Sequence, residues 1–189
     1  TDDALTTYTN HVLKDIQIVL QTRSEKEFSV IADTRRGYKV GGKEPSRYRP
    51  SSEALLRRVR MGKGLYKVNN VVDTINVLSI SSAFCIGGFD VDKIVGDVQL
   101  RLGDESSYDA IGRGILNIDR MIALRDDLGF FGTPTSDSVR TMITTNSTRL
   151  LVVYYDFFSN VALVPALDEA AKLIKNYCGG VQVSKSIVK

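Results

Sequence analysis

The chain is poor in the residues that most often build metal centres and disulfide scaffolds. Of its 189 residues, two are cysteine, Cys85 and Cys178, and one is histidine, His11. Two distant cysteines in apolar settings make no disulfide framework and suit a reduced, cytoplasmic location. A single histidine leaves too few ligands for a Cys/His zinc cluster, and no histidine triad unless His11 serves it. Set among polar residues of an N-terminal helix, His11 reads as a surface residue. No window approaches the roughly 18 uninterrupted apolar residues of a membrane span. The start, Thr1-Asp2-Asp3, is acidic and polar, unlike a secretory signal. Repeats, low-complexity tracts and domain linkers are also lacking, so residues 1–189 are expected to form one domain. With 43% apolar and 25% charged residues close to balance, the chain has material for a core and does not read as disordered.

The charge that is present is unevenly placed. From Arg23 to Lys67 there are 13 Lys and Arg against 5 Asp and Glu, a balance of +8, while the remainder carries −5. Such a segment marks either a polyanion-binding face or solvated helix surfaces.

Ala4, Tyr8, Val12, Ile16 and Val19 recur at helical spacing, so residues 3–20 read as an amphipathic helix. Ser24-Glu25-Lys26-Glu27 has the form of a capping box, opening a second helix that runs to about Val40 and stops at Gly41-Gly42. A basic connector to Pro50 follows. Ser51 or Ser52 caps a third helix ending near Gly62, and Asn69 or Asn70 caps a fourth through Leu78. Beyond Ser82 short apolar runs predict strands at Phe84–Ile86, Asp97–Leu102, Gly114–Ile118, Met121–Leu124 and Arg149–Phe157. Val98, Leu100 and Leu102 alternate with Gln99 and Arg101, as in a sheet with one wet face. Leu150 to Tyr155, continuously apolar, suits a central strand. Pro165 opens a last helix, closed by Gly179-Gly180, with a short strand expected at Val181 and Val183. Helices first and strands later predict an α+β layered domain.

Several groups are candidates for chemistry. Asn69, Asp73 and Asn76 share a face of the fourth helix, forming either a ligand-contacting or a structural polar network. Gly87-Gly88-Phe89-Asp90 and Asp92 suggest a close approach or a turn; a divalent-cation loop is weakly matched. Arg113, between Gly112 and Gly114, suits a carboxylate or phosphate. The loop Gly132-Thr133-Pro134-Thr135-Ser136-Asp137-Ser138 is crowded with hydroxyls, as either a binding loop or a plain turn. Neither loop is a nucleotide fingerprint. Tyr66, Tyr154 and Tyr155 are either base-stacking or core aromatics.

Together the runs Asn69-Asn70-Val71-Val72-Asp73 and Gly87-Gly88-Phe89-Asp90 resemble the editing domain of the phenylalanyl-tRNA synthetase beta subunit. That family has a similar Asn-Asn-Val-Val-Asp helix start, followed at matching distance by His-Ala-Phe-Asp. Pro50 to Leu56 resembles the preceding helix, Gly103 and Glu105 a Gly-Glu step, and Asn117-Ile118-Asp119 a later strand. The likeness spans about residues 45–157. Ile111–Gly114 and Gly132–Ser138 look closer to stand-alone proteins built from this domain. The resemblance implies a three-layer sheet-sheet-helix sandwich that recognises tRNA or its aminoacyl end, and in the synthetase removes mischarged tyrosine. Gly87 stands where the family has its editing histidine, and Val152 where a glutamate follows two leucines.

Three functions follow as expectations. The first is a trans-acting deacylase of mischarged tRNA, an ester hydrolase and not a complete tRNA ligase. Asp119, Thr135 or Ser136 would then orient water, and amides near Gly87-Gly88 and Gly132-Thr133 would stabilise the oxyanion. The second is a module that binds tRNA or a small amino-acid-like ligand without cleaving it, through Asn69, Asp73, Asn76, Gly87, Gly88, Phe89, Arg113, Gly132 and Thr133. The third is a protein-interaction domain. Arg57, Arg58, Arg60 and Lys63 are the expected phosphate contacts. No cofactor, metal or membrane partner is expected.

Overall fold

A computed structural model describes residues 2–188. Among them four helices precede a run of seven strands and a fifth helix follows it. The helices are α1 (Asp3–Thr22), α2 (Ser29–Val40), α3 (Ser51–Arg60), α4 (Asn70–Ser82) and α5 (Leu163–Cys178). The strands are β1 (Cys85–Asp90), β2 (Gln99–Leu102), β3 (Ser107–Ala110), β4 (Gly114–Asn117), β5 (Ile122–Asp126), β6 (Gly129–Gly132) and β7 (Leu150–Tyr155).

Local chemistry explains most helix limits. The Asp2 carboxylate accepts from the Leu5 amide at α1, and the Asn69 side chain accepts from Val72 N at α4, each satisfying an amide the helix itself leaves open. The inward stripe of α1 keeps the predicted Tyr8, Val12 and Ile16 but differs at its two ends. Ala4 is exposed and Val19 largely so, whereas Leu5 and Leu20 are buried and Tyr8, Val12 and Ile16 pack beside Leu20. The larger leucines at both ends win the core-facing positions. Ser24 caps only a 3-10 turn, Glu25–Glu27, through the Lys26 amide; the second helix begins at Ser29. Helix α3 has no side-chain cap, because Pro50, which cannot accept through its side chain, takes the cap position; Ser51 falls inside the first turn and Ser52 is buried against the Cys85 thiol. Helix α4 outruns its predicted end, since no glycine stops it; Ala83 turns the chain in the left-handed region, φ 64°.

Antiparallel pairing joins β1 to β7, with Gly87 opposite Val153 and Gly88 opposite Val152. A second sheet has the order β2-β5-β6, and β3-β4 forms a third, two-stranded one. The two-residue period of the strands separates two cores. Ile86, Leu150, Val152 and Tyr154 face the helices, packing with Ile31, Leu56, Leu78, Ile80 and Phe84. Cys85, Phe89, Leu151, Val153 and Tyr155 face the second sheet, packing with Leu124 and Phe131. The result is the three-layer α+β sandwich, helices on one sheet and that sheet on another. Strand β7 is apolar on both faces because it lies between layers, not because strands flank it on both sides.

Strands β3 and β6 have no counterpart in the sequence reading. Ser107-Tyr108-Asp109-Ala110 is polar and short, and Phe130-Phe131 lies between glycines in a loop-like stretch; only their cross-strand partners make them strands. The expected wet-face alternation in β2 also fails. All four of its residues are exposed, with Leu100 at 59% and Leu102 at 56%, because neither face of this edge strand is covered. The chain at Val181 and Val183 forms no strand among the described residues.

Candidate functional site

Where the two sheet layers meet, β1 has an open edge. Its Gly88 N–H donates to Asp137 Oδ2 at 3.1 Å, and Phe89 bridges Met142. The predicted glycine turn is therefore strand, and the turn follows it at Val91–Lys93. Close approach is the reason glycine stands there. A Cβ on Gly87 would lie 2.6 Å from Phe89 Cζ and 3.1 Å from Asp137 Oδ1; one on Gly132 would lie 2.5 Å from Phe89 Cζ and 3.2 Å from the Tyr155 hydroxyl. The fully buried Phe89 ring is thus wedged between two bare backbones, edge-on to Phe131 at 5.0 Å.

The 132–138 loop is fixed around this wedge. Thr133 Oγ1 donates to Ser136 O and accepts from the Thr135 and Ser136 amides. Tyr108 donates to Ser136 O at 2.6 Å and also reaches Thr133 Oγ1 at 3.2 Å. Thr135 Oγ1 donates to Tyr48 O at 3.2 Å and lies 2.8 Å from the Tyr38 hydroxyl. One proton per hydroxyl makes Tyr38 the donor to Thr135. Asp137 and Gly132 form a bridge, and Ile111 N donates to Asp137 O.

Two polar groups in this cluster stand apart. Tyr155, in the layer between sheets, has a buried hydroxyl without a hydrogen-bond partner among the described residues. Asp137 keeps part of its residue surface open, but its carboxyl is enclosed, and burial pushes its pKa up to about 8 against the opposing pull of the Gly88 N–H. A carboxyl poised near neutrality takes or gives a proton readily. Burial also lifts the Tyr38 hydroxyl well above its ordinary range, while the positive charge of Arg113 draws it the other way. A groove of about 610 Å³ lies on the outer side of Tyr108, between the β3-β4 and β5-β6 hairpins, walled by Asp109, Arg125, Phe130 and Arg140.

The predicted site residues fall in several places. Gly87, Gly88, Phe89, Gly132, Thr133, Thr135 and Ser136 come together in the cluster. Arg113 is exposed on the neighbouring β3-β4 turn. Asn69 and Asp73 serve the start of α4, where Asp73 accepts from Val68 N at 2.8 Å and Asn69 is the cap; Asn76 is half-buried on the same helix. Contact between α4 and the glycine pair comes instead from Ile75, against the other face of Gly88. Asp119 lies past the Asn117 end of β4, next to Arg120 at 3.8 Å, whereas Ser136 Oγ reaches Ile111, beyond the opposite end of that hairpin. The Gly88 and Thr133 amides, expected to stabilise an oxyanion, are committed to Asp137 and to Ser136 O. Val152 packs in the helical core, on the face of β7 turned away from Asp137.

Arg57 and Lys63 are exposed; Arg58 lies over the Tyr66 ring at 4.0 Å and Arg60 pairs with Glu25 at 2.9 Å. Tyr154 and Tyr155 belong to the two cores, whereas Tyr66 is 55% exposed. His11 is a surface residue beside Asp15, and both cysteines are free thiols. Asp90 accepts from Ser147 at 2.6 Å and Asp92 pairs with Arg149 at 3.0 Å. Among the described residues no cluster of His, Cys, Asp and Glu is arranged to hold a metal, and no helix is long and apolar enough to cross a membrane. Asp137 and Tyr155 are the cluster groups to which sequence reasoning gave no catalytic or ligand-binding role. Asp137 shows in the sequence as one polar residue of a hydroxyl-rich loop, and Tyr155 as a base-stacking or core aromatic in an apolar run.

A layered α+β domain with a polar cluster at its sheet–sheet seam is the class this geometry defines. The model of the B3/4 domain matches residues 33–179, so the chain belongs to the B3/4 domain family, the domain found in the phenylalanyl-tRNA synthetase beta subunit. That span extends the 45–157 likeness at both ends and includes both walls of the cluster. No curated protein matches the chain.

Proposed function

We propose that this domain binds the aminoacyl end of a transfer RNA, with the acyl group lodged against the seam between β1 and the 132–138 loop. The observation that carries the reading is the family match over residues 33–179, because that span contains the cluster whole. Asp137 supplies the charge-adjustable group there, Tyr155 an unused hydroxyl, and Arg113 a cation at the neighbouring turn. A preference for aminoacylated over deacylated tRNA, with affinity falling steeply between two salt concentrations, is the expected result. Equal affinity for both forms would remove the acyl group from the site, and no binding at low salt would remove tRNA altogether.

Hydrolysis of that ester is the finer proposal. Water attacks the ester carbonyl carbon while the ionised Asp137 carboxylate accepts one of its protons; the tetrahedral adduct then breaks its bond to the ribose oxygen, and protonated Asp137 returns that proton to the departing oxygen. Only the ionised fraction of Asp137 is a base, so the rate would rise with pH towards its pKa of about 8 and level off above. The alternative is binding without cleavage. Its support is specific: Phe89 fills the space a side chain at Gly87 would need, and the Gly88 and Thr133 amides are already engaged. A lifetime of mischarged tRNA that is longer in excess protein than in buffer would decide for binding alone.

A further inference from the structure

We propose that the phosphodiester backbone of the RNA runs over the last turn of α2, the connector between α2 and α3 and the adjoining β4-β5 turn, through Lys39, Lys43, Arg47 and Arg120, and not over α3. This rests on the tRNA reading above and names the surface that serves it. The connector is held against the β3-β4 hairpin: Lys43 Nζ donates to Asn117 Oδ1 at 3.2 Å, the Arg120 side chain lies 3.5 Å from where a Cβ on Gly42 would stand, and Tyr48 packs beside Tyr108 and Ala110. Lys43 and Arg47 both flank the Tyr48 ring, at 4.3 and 5.5 Å. Lys39 stands in the last turn of α2, just before the connector. Four cations from two stretches of sequence therefore lie on or beside the connector.

The connector itself and the β4-β5 turn carry two acids. Glu44 is turned onto the Ser46 amide, whose hydrogen bond holds its carboxyl below the ordinary range, and Asp119 lies beside Arg120 at 3.8 Å. Lys39, Lys43 and Arg47 take part in no ion pair among the described residues. By contrast, α3 has Arg60 bound to Glu25 and to the Arg23 carbonyl, and Arg58 covering Tyr66. Position decides further. The Tyr48 carbonyl accepts from Thr135, and Ser51 N donates to Pro134 O, so the cationic connector is bonded directly to the 132–138 loop. A linear polyanion lying along it has its end delivered to the cluster, which suits a nucleic-acid strand better than an acidic protein patch.

The test is anisotropy of labelled, deacylated total tRNA with the intact chain, across 50–200 mM salt as a working range, on the order of that over which such contacts are lost. The triple variant K39Q/R47Q/R120Q is compared with R57Q/K63Q, with melting curves confirming the fold; R47Q alone serves if the triple melts early. Removing three contacts should weaken binding about tenfold or more at low salt and flatten the log–log salt slope by roughly 2–3, since each contact contributes about 0.7–0.9. R57Q/K63Q should stay within about twofold of the wild type. Loss in R57Q/K63Q with retention in the triple variant overturns the placement and leaves the tRNA reading standing. No wild-type binding overturns both. Tighter binding to phosphatidylglycerol-containing vesicles than to tRNA, lost in the triple variant, assigns the surface to a membrane and overturns the RNA track.

Discussion

Replacing Asp137 by asparagine should stabilise the protein at neutral pH. The Asp137 carboxyl has a pKa of about 8 when folded, against about 3.9 in an unfolded chain. Between pH 5 and 7 the unfolded state has therefore lost this proton while the folded state keeps it. The folded state binds more protons, so stability falls as pH rises, by up to about 1.4 kcal/mol per pH unit for this one group. Over two units the ceiling is about 2.7 kcal/mol; the partly open surface of Asp137 brings the expectation to roughly 2 kcal/mol. The amide of the D137N variant offers the same oxygen to Gly88 N–H and never ionises. Asp90, Asp104, Glu44 and Asp126 have carboxyls held below their ordinary range. Their contributions are in place above pH 5 and are lost only in more acid solution, so they leave this window flat. Urea unfolding at pH 5, 6 and 7 should show wild-type stability declining and that of D137N nearly level. Parallel curves for the two proteins would refute the enclosed, proton-holding carboxyl.

Three further outcomes follow from the same geometry. Arg140 holds the buried Asp126 with two hydrogen bonds of 2.9 and 2.8 Å; burial opposes ionisation of that carboxyl, and the Arg140 bonds and the Val95 amide overcome it. Arg140→Ala should cost about 2–4 kcal/mol in chemical unfolding, lower than a sealed pair because Arg140 is itself part-exposed, and R140K should not restore the fork. Gly87→Ala drives a methyl into the Phe89 ring and should cost about 1–3 kcal/mol, read as a lowered Tm, with F89L recovering part of it; G87H alone should therefore lose stability without gaining hydrolysis. Tyr155→Phe removes a buried hydroxyl that has no partner and should leave stability unchanged or raise it by about 1 kcal/mol, while weakening aminoacyl-tRNA binding. Equal tRNA affinity in Y155F and wild type would place the acyl group elsewhere.

How much of this was legible depended on the range of the interaction. The Asn69 cap acts over three residues and the β7 run over six, so both could be read directly, and the Asn-Asn-Val-Val-Asp and Gly-Gly-Phe-Asp motifs pointed to the layered fold. The site itself is built from distant parts. Asp137 meets Gly88 across 49 residues and Tyr38 meets Thr135 across 97, distances at which no local pattern survives. Strands β3 and β6 were hidden for another reason: their partners are near in sequence, but Ser107-Tyr108-Asp109-Ala110 is short and polar and Phe130-Phe131 lies between glycines, so neither shows an apolar run. Gly87 was visible as the place of a missing histidine, but not as the floor under an aromatic ring. The arginines of α3 drew attention by their density in sequence, whereas the cations around Tyr48 adjoin one another only once the connector is laid on the hairpin.

The most direct test of the acyl-end assignment is the lifetime of the ester itself. Aminoacyl-tRNAs, correctly and wrongly charged, would be incubated with saturating protein and the remaining ester followed with time. Lodging the acyl group beside Asp137 predicts a lifetime different from that in buffer for at least one amino acid: shortened if Asp137 delivers water, lengthened if the seam only shelters the bond. D137N should return a shortened lifetime towards the buffer value and leave a lengthened one in place. Buffer-rate decay of every aminoacyl-tRNA under conditions where the tRNA is demonstrably bound would contradict the assignment.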